Sequence, residues 1–199
     1  MSEAEELSLL VGSIYDASLD PALWRDVLAQ SARFAGGLSA GLYFKNATSK
    51  HGNIYYDAGG TEPHYTQLYF EKYIKFDPFT TGQILAEIGE PVSATDIMPY
   101  EEVLETRFYK EWVAPQQLRD FVTAVLEKSV TGAAIFGVFR HERQGPADAE
   151  MRRRMRLIIP HMRRAALISR VIDLRRTEAA TLTDLLDGIS ARMFLVNAG

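Results

Sequence analysis

The chain has 199 residues, of which 47% are hydrophobic and 11% aromatic, so it can bury one full hydrophobic core. It has no cysteine, which excludes a disulfide frame, a thiolate metal site and a cysteine nucleophile and favours a cytoplasmic location. The net charge of −4 is unevenly distributed: residues 1–100 carry 6 Lys and Arg against 13 Asp and Glu, and residues 101–199 carry 16 against 13. No stretch is apolar enough to cross a membrane, and the N-terminus is acidic where a signal peptide would be basic.

The first two predicted elements are helices. Apolar residues recur at helical spacing over residues 7–15. Asp20 and Pro21 form a strong helix start, and the apolar stripe that follows ends at Gly36 and Gly37.

A hairpin of two strands is predicted between residues 38 and 57, where apolar and polar residues alternate. Leu42 and Phe44 alternate with Lys45, which places Lys45 on the polar side of its strand. A tyrosine-rich helix follows up to about Phe76, which precedes Asp77 and the helix-ending Pro78.

The middle of the chain predicts a short strand over 91–94, a loop and helix over 96–112, and two strands over 118–128 and 133–141. The last two strands are apolar on both faces, so helices must cover the sheet above and below. Two hairpins favour antiparallel pairing. The predicted fold class is therefore α+β, with a GAF- or PAS-like antiparallel sheet covered by helices over residues 1–145.

A long C-terminal helix is predicted over 146–188, with a kink at Pro160. It would extend roughly 60 Å, longer than such a domain is wide. Its second half has apolar residues at alternating spacings of four and three, which is typical of a coiled-coil seam and predicts a parallel homodimer. The seam comprises Ile168, Ile172, Ala179, Leu182, Leu186 and Ile189. Residues 189–199 alternate like a strand, which suggests the start of a further unit in a longer protein.

The candidate ligand site centres on the tyrosine-rich helix. Tyr65, Tyr69 and Tyr73 follow one another at intervals of four, and Asp77 continues that line at the helix end. Phenol rings can enclose an apolar ligand while their hydroxyls and a carboxylate bind its polar group. Ordinary core packing with satisfied hydroxyls is the alternative. The predicted pocket also includes further aromatic residues: Phe44, Tyr56 and Trp112.

Other chemistry finds little support in the sequence. The histidines lack metal-ligand spacing, and neither a phosphate-binding loop nor a nucleophile elbow is present. We therefore predict no metal, no cofactor and no catalytic residue. Eleven arginines fall within 140–176, a stripe that could attract phosphate but is more typical of a solvated helix face.

Several short motifs together resemble the N-terminal sensor region of LuxR-type helix-turn-helix transcriptional regulators. They comprise Asp20-Pro21-Ala22-Leu23-Trp24, Asp77-Pro78 after the tyrosine-rich helix, Glu111-Trp112, and Leu157-Ile158-Ile159-Pro160-His161-Met162-Arg163-Arg164-Ala165. In quorum-sensing members the Asp-Pro pair contributes an aspartate that accepts a hydrogen bond from the amide of an acyl-homoserine lactone, a role that the resemblance would give to Asp77. This sequence differs from those members because it has no tryptophan over residues 65–76.

The resemblance implies a cytoplasmic, non-catalytic sensor that binds a small, partly apolar effector and forms a homodimer. DNA contact would come only from a helix-turn-helix domain outside this sequence. Two alternatives stay open: a dimeric scaffold without a pocket, and a small cofactor-free enzyme that uses Asp77 and a tyrosine as an acid–base pair.

Overall fold

The computed structural model describes residues 1–46, 49, 51–59 and 62–196, with the backbone alone for 53–55, 179 and 182–196. Its centre is a five-stranded antiparallel sheet in the order β2-β1-β5-β4-β3. The strands are β1 (Ser39–Asn46), β2 (His51–Asp57), β3 (Val92–Ser93), β4 (Leu118–Lys128) and β5 (Gly132–His141). Both predicted hairpins and the predicted short strand are confirmed, as is the antiparallel α+β class.

One face of the sheet is covered by three long helices. These are α1 (Glu3–Leu19), α2 (Trp24–Ala35) and the first part of α7 (Ala149–Val196). Asp20 accepts a hydrogen bond from the Ala22 backbone N–H at 3.0 Å, and Gly36 ends α2 in the left-handed conformation with φ of 78°. The apolar faces of these helices and of the sheet form the main core.

Short helices cover the opposite face. They are α3 (Pro63–Glu71), α4 (Thr80–Leu85), α5 (Ala94–Ile97) and α6 (Tyr100–Glu105), with a 3₁₀ turn at Tyr73–Lys75 and a π-helical turn at Tyr109–Val113. The predicted tyrosine-rich helix is thus shorter than expected, because it ends at Glu71 and continues as the 3₁₀ turn. An aromatic-rich cluster packs between these elements and the sheet.

The helix α7 begins at Ala149, after an Asp148 side chain that accepts from the Met151 backbone N–H at 2.7 Å. It contains 48 residues, so it extends about 72 Å. Its first part packs on the core through Met151, Met155, Ile158, Ile159, Met162 and Ala165.

The prediction of a strand over 189–199 is wrong, because α7 stays helical to Val196. Ala191, Met193 and Leu195 are strong helix formers, and extending an existing helix needs no new nucleation. A strand there would also need a sheet edge to pair with. Residues 197–199 lie outside the described part of the chain.

Seam residues of α7 are only partly described. Ile168 is exposed and Ile172 is half-buried, while Ala179, Leu182, Leu186 and Ile189 lie where the structure describes the backbone alone. Val171 and Leu174 add exposed apolar surface next to Ile168. This part of the helix therefore leaves apolar side chains uncovered within one chain.

The arginine stripe is mostly paired with carboxylates of this chain. The ion pairs join Arg140 to Asp148, Arg152 to Asp96, Arg153 and Arg154 to Glu3 and Glu150, Arg156 to Glu90, Arg170 to Glu127, Arg175 to Glu178, and Arg176 to Asp173. The positive charge is therefore largely compensated, as expected for a solvated helix face. In the described part of the chain, no helix is both long and apolar enough to cross a bilayer.

Candidate ligand-binding site

A cavity of about 100 Å³ lies between the sheet and the short helices. Residues 39, 41, 43 and 45 of β1 line it, because alternate side chains of a strand point to the same face. The aromatic lining comprises Tyr43, Tyr69, Phe70, Phe79, Phe108, Tyr109, Trp112, Phe121 and Phe139. Because these rings come from both the helices and the sheet, the cavity walls are mostly apolar.

The aromatic rings hold one another in place. Phe108 and Trp112 stack with centroids 5.1 Å apart, and Tyr69 lies 5.0 Å from the Trp112 ring. The Trp112 indole N–H donates to the Tyr65 backbone carbonyl at 2.9 Å. Trp112 belongs to the π-helical turn, a feature that often occurs at functional sites. The tryptophan is therefore fixed between helix and cavity with its polar atom already paired.

One end of the cavity is polar. Lys45 Nζ donates to Asp77 Oδ2 at 2.5 Å and to Gln83 Oε1 at 2.7 Å, and the Tyr69 hydroxyl donates to the same Asp77 oxygen at 2.5 Å. The side chains of Lys45 and Asp77 are only 4% and 3% exposed. We call Lys45, Tyr69, Asp77 and Gln83 the polar cluster. Within this cluster, Lys45 and Asp77 form a buried ion pair, and their charges compensate each other.

The backbone around Asp77 holds the carboxylate in place. Its second oxygen, Oδ1, accepts from the Phe79 backbone N–H at 2.8 Å, which is an Asx turn across Pro78. The turn separates the 3₁₀ turn from α4, the helix that presents Gln83. Gln83 Nε2 in turn donates to Thr123 Oγ1 on β4 at 3.3 Å. The polar cluster is therefore anchored on both the helical layer and the sheet.

Tyr43 is the second buried phenol at this end. Burial raises the pKa of Tyr43 above its ordinary value, and the Asp77 charge adds to the shift. The same two causes, in the same order, raise the pKa of Tyr69 well above its ordinary value. Both phenols therefore keep their protons near pH 7, and Tyr69 donates its proton to Asp77.

Gly137 on β5 makes room for the Tyr43 hydroxyl. A Cβ at Gly137 would lie 2.9 Å from that oxygen and 3.1 Å from Thr123 Cγ2. Among the residues that the structure describes, the Tyr43 hydroxyl has no hydrogen-bond partner, although the tyrosine is 7% exposed and lines the cavity. Because the hydroxyl oxygen keeps some accessible surface, a molecule in the cavity could pair with it.

Asp120 connects the cavity wall to the start of α7. Its Oδ1 accepts from the backbone N–H groups of Ala94 at 3.3 Å and Phe121 at 2.7 Å, and its Oδ2 accepts from that of Ala147 at 2.8 Å. Arg152 of α7 reaches the same region, because its guanidinium donates to Asp96 at 2.5 Å and to Ser93 at 2.6 Å. A change in the wall near α5 would therefore bear directly on the first turns of α7.

The predicted site residues fall into three groups. Tyr69, Asp77 and Trp112 line the cavity together. Tyr65 and Tyr73 lie outside its lining: Tyr65 contributes its carbonyl to Trp112, and the Tyr73 hydroxyl donates to Glu111 Oε2 at 3.0 Å. The interval of four does not bring all three side chains to the cavity: Tyr65 lies near the start of α3, and α3 ends before Tyr73.

The prediction that Phe44 and Tyr56 line the cavity is wrong, because both residues lie on the other face of the sheet. There they line a separate groove of about 560 Å³ between the sheet and α7. Phe44 immediately precedes Lys45, so the two side chains must point to opposite faces. Tyr56 stacks on Trp24 with ring centroids 5.5 Å apart and an interplanar angle of 21°.

Sequence reasoning missed Lys45, Tyr43 and Gln83. The alternation of Leu42, Phe44 and Lys45 predicts a solvated lysine only if one face of the strand is open. The strand β1 lies inside the sheet, between β2 and β5, and both of its faces are covered. A lysine inside a strand covered on both faces needs a buried carboxylate, and this requirement is the signal that could have linked Lys45 to Asp77.

No protein-family model matches the sequence, and no curated protein matches it. Two solved structures share the fold of this chain. The ligand-binding domain of VqsR from Pseudomonas aeruginosa is 16% identical and matches with a TM-score of 0.66 over 81% of this chain and 94% of that chain.

CepR2 from Burkholderia cenocepacia, described as an N-acylhomoserine lactone dependent LuxR family transcription factor, is 15% identical. It matches with a TM-score of 0.58 over 82% of this chain and 93% of that chain.

Proposed function

We propose that this chain is the ligand-sensing and dimerisation region of a cytoplasmic transcriptional regulator. The observation that carries the proposal is the aromatic cavity with one polar end, placed between the sheet and the short helices of a LuxR-type sensor fold. A small, partly apolar effector would bury its apolar part among the rings and direct its polar group to the polar cluster. In this proposal DNA is contacted by a helix-turn-helix domain of the full regulator.

The effector would act on α7 through the cavity wall. Asp120 lines the cavity and accepts hydrogen bonds from the Ala94 and Ala147 backbones, while Arg152 joins α7 to Ser93 and Asp96. A ligand that favours one position of this wall would favour one position of the helix. Because α7 continues far beyond its packed first part, a small shift at its start would reorient its distal end.

Dimerisation is supported by the apolar surface that α7 leaves uncovered. Ile168 is 38% exposed, and Val171 and Leu174 are each 58% exposed. A symmetric partner helix is the usual way to bury such a stripe. Two helices joined in this way would transmit the ligand signal to a pair of output domains.

Native mass spectrometry of the protein purified from its natural host tests the proposal, because it reports stoichiometry and retained small molecules together. We expect a dimer with one additional small molecule per chain. Val113→Phe, which enlarges a half-buried residue of the lining, should remove the additional mass. Val130→Phe is the matched control, since Val130 is fully exposed in the turn between β4 and β5.

The scaffold alternative makes the opposite prediction. The cavity is small, and an unoccupied cavity is stabilised when a larger side chain fills it. A dimer without additional mass, whose melting temperature rises in Val113→Phe, would contradict the sensor proposal and favour the scaffold. The enzyme alternative has weaker support, because the Asp77 carboxylate is held by Lys45, Tyr69 and a backbone N–H.

A further inference from the structure

Two hydrogen-bond donors at the polar end of the cavity have no acceptor among the described residues: one N–H of Lys45 and the hydroxyl of Tyr43. Asp77 accepts three hydrogen bonds from the protein, and Gln83 Oε1 accepts one from Lys45. A lysine ammonium has three donors, and only two of the Lys45 donors have acceptors in the described part of the chain. The Nζ atom of Lys45 itself lies 5.5 Å from the centroid of the Tyr43 ring and 5.3 Å from that of the Tyr69 ring.

Tyr43 adds another donor beside Lys45. The two residues are separated by one position on β1, so their side chains are neighbours on the cavity face. The Tyr43 hydroxyl has no protein partner among the described residues, and Gly137 leaves the space that it occupies. A cavity that offers unpaired donors is complementary to a ligand that brings an acceptor.

Charge limits the ligand further. The lysine and the carboxylate of the polar cluster neutralise each other, and both are almost completely buried. An anionic ligand would add a buried charge without a counter-charge, which is strongly unfavourable. A ligand that donates an amide N–H to Asp77 would have to share an oxygen already bound by Lys45 and Tyr69, or replace one of them.

We propose that Lys45 and Tyr43 determine ligand specificity by selecting a compact, neutral molecule that directs a carbonyl-type oxygen to them. The cavity volume of about 100 Å³ suits a molecule of about one ring. This inference rests on the proposed sensor function and names the ligand class of that site. In it, Asp77 positions Lys45 and is not itself the main contact to the ligand.

Three probes of similar size test the inference on the full chain by ligand-observed NMR titration. Cyclopentanone carries the acceptor, methylenecyclopentane replaces its oxygen with a methylene group, and cyclopentanecarboxylate carries a negative charge. We expect cyclopentanone to bind roughly tenfold more tightly than methylenecyclopentane, the factor typical of one hydrogen bond from a charged donor, and more tightly than the carboxylate.

Two variants assign this preference to residues. Tyr43→Phe should reduce the ketone preference roughly threefold and leave the Kd of methylenecyclopentane unchanged, whereas Tyr15→Phe, distant from the cavity, should change neither. The double variant Lys45→Met/Asp77→Asn preserves neutrality and should abolish the remaining preference. Lys75→Met, at an exposed lysine, is its control.

The outcomes separate this inference from the function on which it rests. Equal affinities for cyclopentanone and methylenecyclopentane would overturn the inference and leave the cavity as a binding site. A ketone preference that persists in both variants, or tighter binding of the carboxylate, would also overturn it. If none of the probes binds at tens of millimolar, both this inference and the proposed sensor function are contradicted.

Discussion

The buried Lys45–Asp77 pair predicts a specific pattern of stability changes. The two side chains are 4% and 3% exposed, and their charged atoms lie 2.5 Å apart. Lys45→Met leaves the carboxylate buried without its cation, and Asp77→Asn leaves the ammonium without its anion. Breaking a buried pair from one side destabilises a protein by about 3–5 kcal/mol, whereas an exposed pair contributes about 1 kcal/mol at most.

The double variant Lys45→Met/Asp77→Asn removes both charges together. Methionine approximates the lysine stem, and asparagine keeps one oxygen, which can accept from the Phe79 N–H, while its amide nitrogen takes the position of Oδ2 beside the Tyr69 hydroxyl. We expect the double variant to lose only about 2 kcal/mol or less, since replacing a buried pair with neutral groups of similar volume is often close to neutral. Its loss should be smaller than the sum of the single losses by about 3 kcal/mol or more.

Urea unfolding at pH 7.5, followed by circular dichroism, measures these changes as shifts in midpoint at constant m-value. Lys75→Met controls for replacement of an exposed lysine and should change the free energy of unfolding by less than about 0.5 kcal/mol. Two results would refute the assignment of a buried ion pair whose members depend on each other. One is that the losses of unfolding free energy in the two single variants add up in the double variant, and the other is a loss below about 1 kcal/mol in each single variant.

Three further predictions concern other parts of the chain. Leu182→Glu with Leu186→Glu should shift the mass measured by light scattering from dimer to monomer, because like charges would face each other across the seam. An unchanged mass would contradict dimerisation through this seam. Burial, with a smaller contribution from Arg164, lowers the pKa of His161. The unfolded state therefore binds more protons, so stability should fall as the pH drops below about 6.5. In thermal melts, His161→Gln should reduce this dependence of the melting temperature on pH. An equal dependence in the variant would exclude this histidine as the cause. Binding of the arginine stripe to DNA should be independent of sequence and collapse between roughly 50 and 200 mM salt in a filter-retention assay, whereas sequence-specific retention at 200 mM would contradict the paired-face interpretation.

The local elements could be predicted because their signals lie within a few neighbouring residues. Asp20 and Pro21 start a helix, Gly36 ends one, and the strands β4 and β5 follow from continuous apolar runs on both faces. The predicted placement of Asp77 in line with Tyr69 also depends on a short segment, because only eight positions separate the two residues. These features depend on backbone conformation and hydrophobic periodicity, which a short segment largely determines.

The tail shows where local signals are ambiguous. Residues 192–196 contain both β-branched and helix-favouring residues, and strand-like alternation alone did not predict the helix that extends to Val196. A strand gains its hydrogen bonds only from a partner, whereas a helix that already exists supplies the next one itself. The helical conformation of residues 192–196 depended on the roughly 40 helical residues that precede them, which lie beyond the range of a local pattern.

What the sequence by itself determined is the class of fold, the order of its elements and the closeness of Tyr69 to Asp77 around one turn. Only the tertiary structure decided that Lys45 is buried, that Phe44 and Tyr56 lie away from the cavity, and that Tyr43 and Gln83 belong to it. The physical reason is the position of β1 inside the sheet, where it pairs with the neighbouring β2 and with β5, which is distant in the chain. The two helical layers then cover both faces of the strand, and this covering decides which side chains are buried. The partner that makes a buried lysine tolerable lies 32 residues away along the chain.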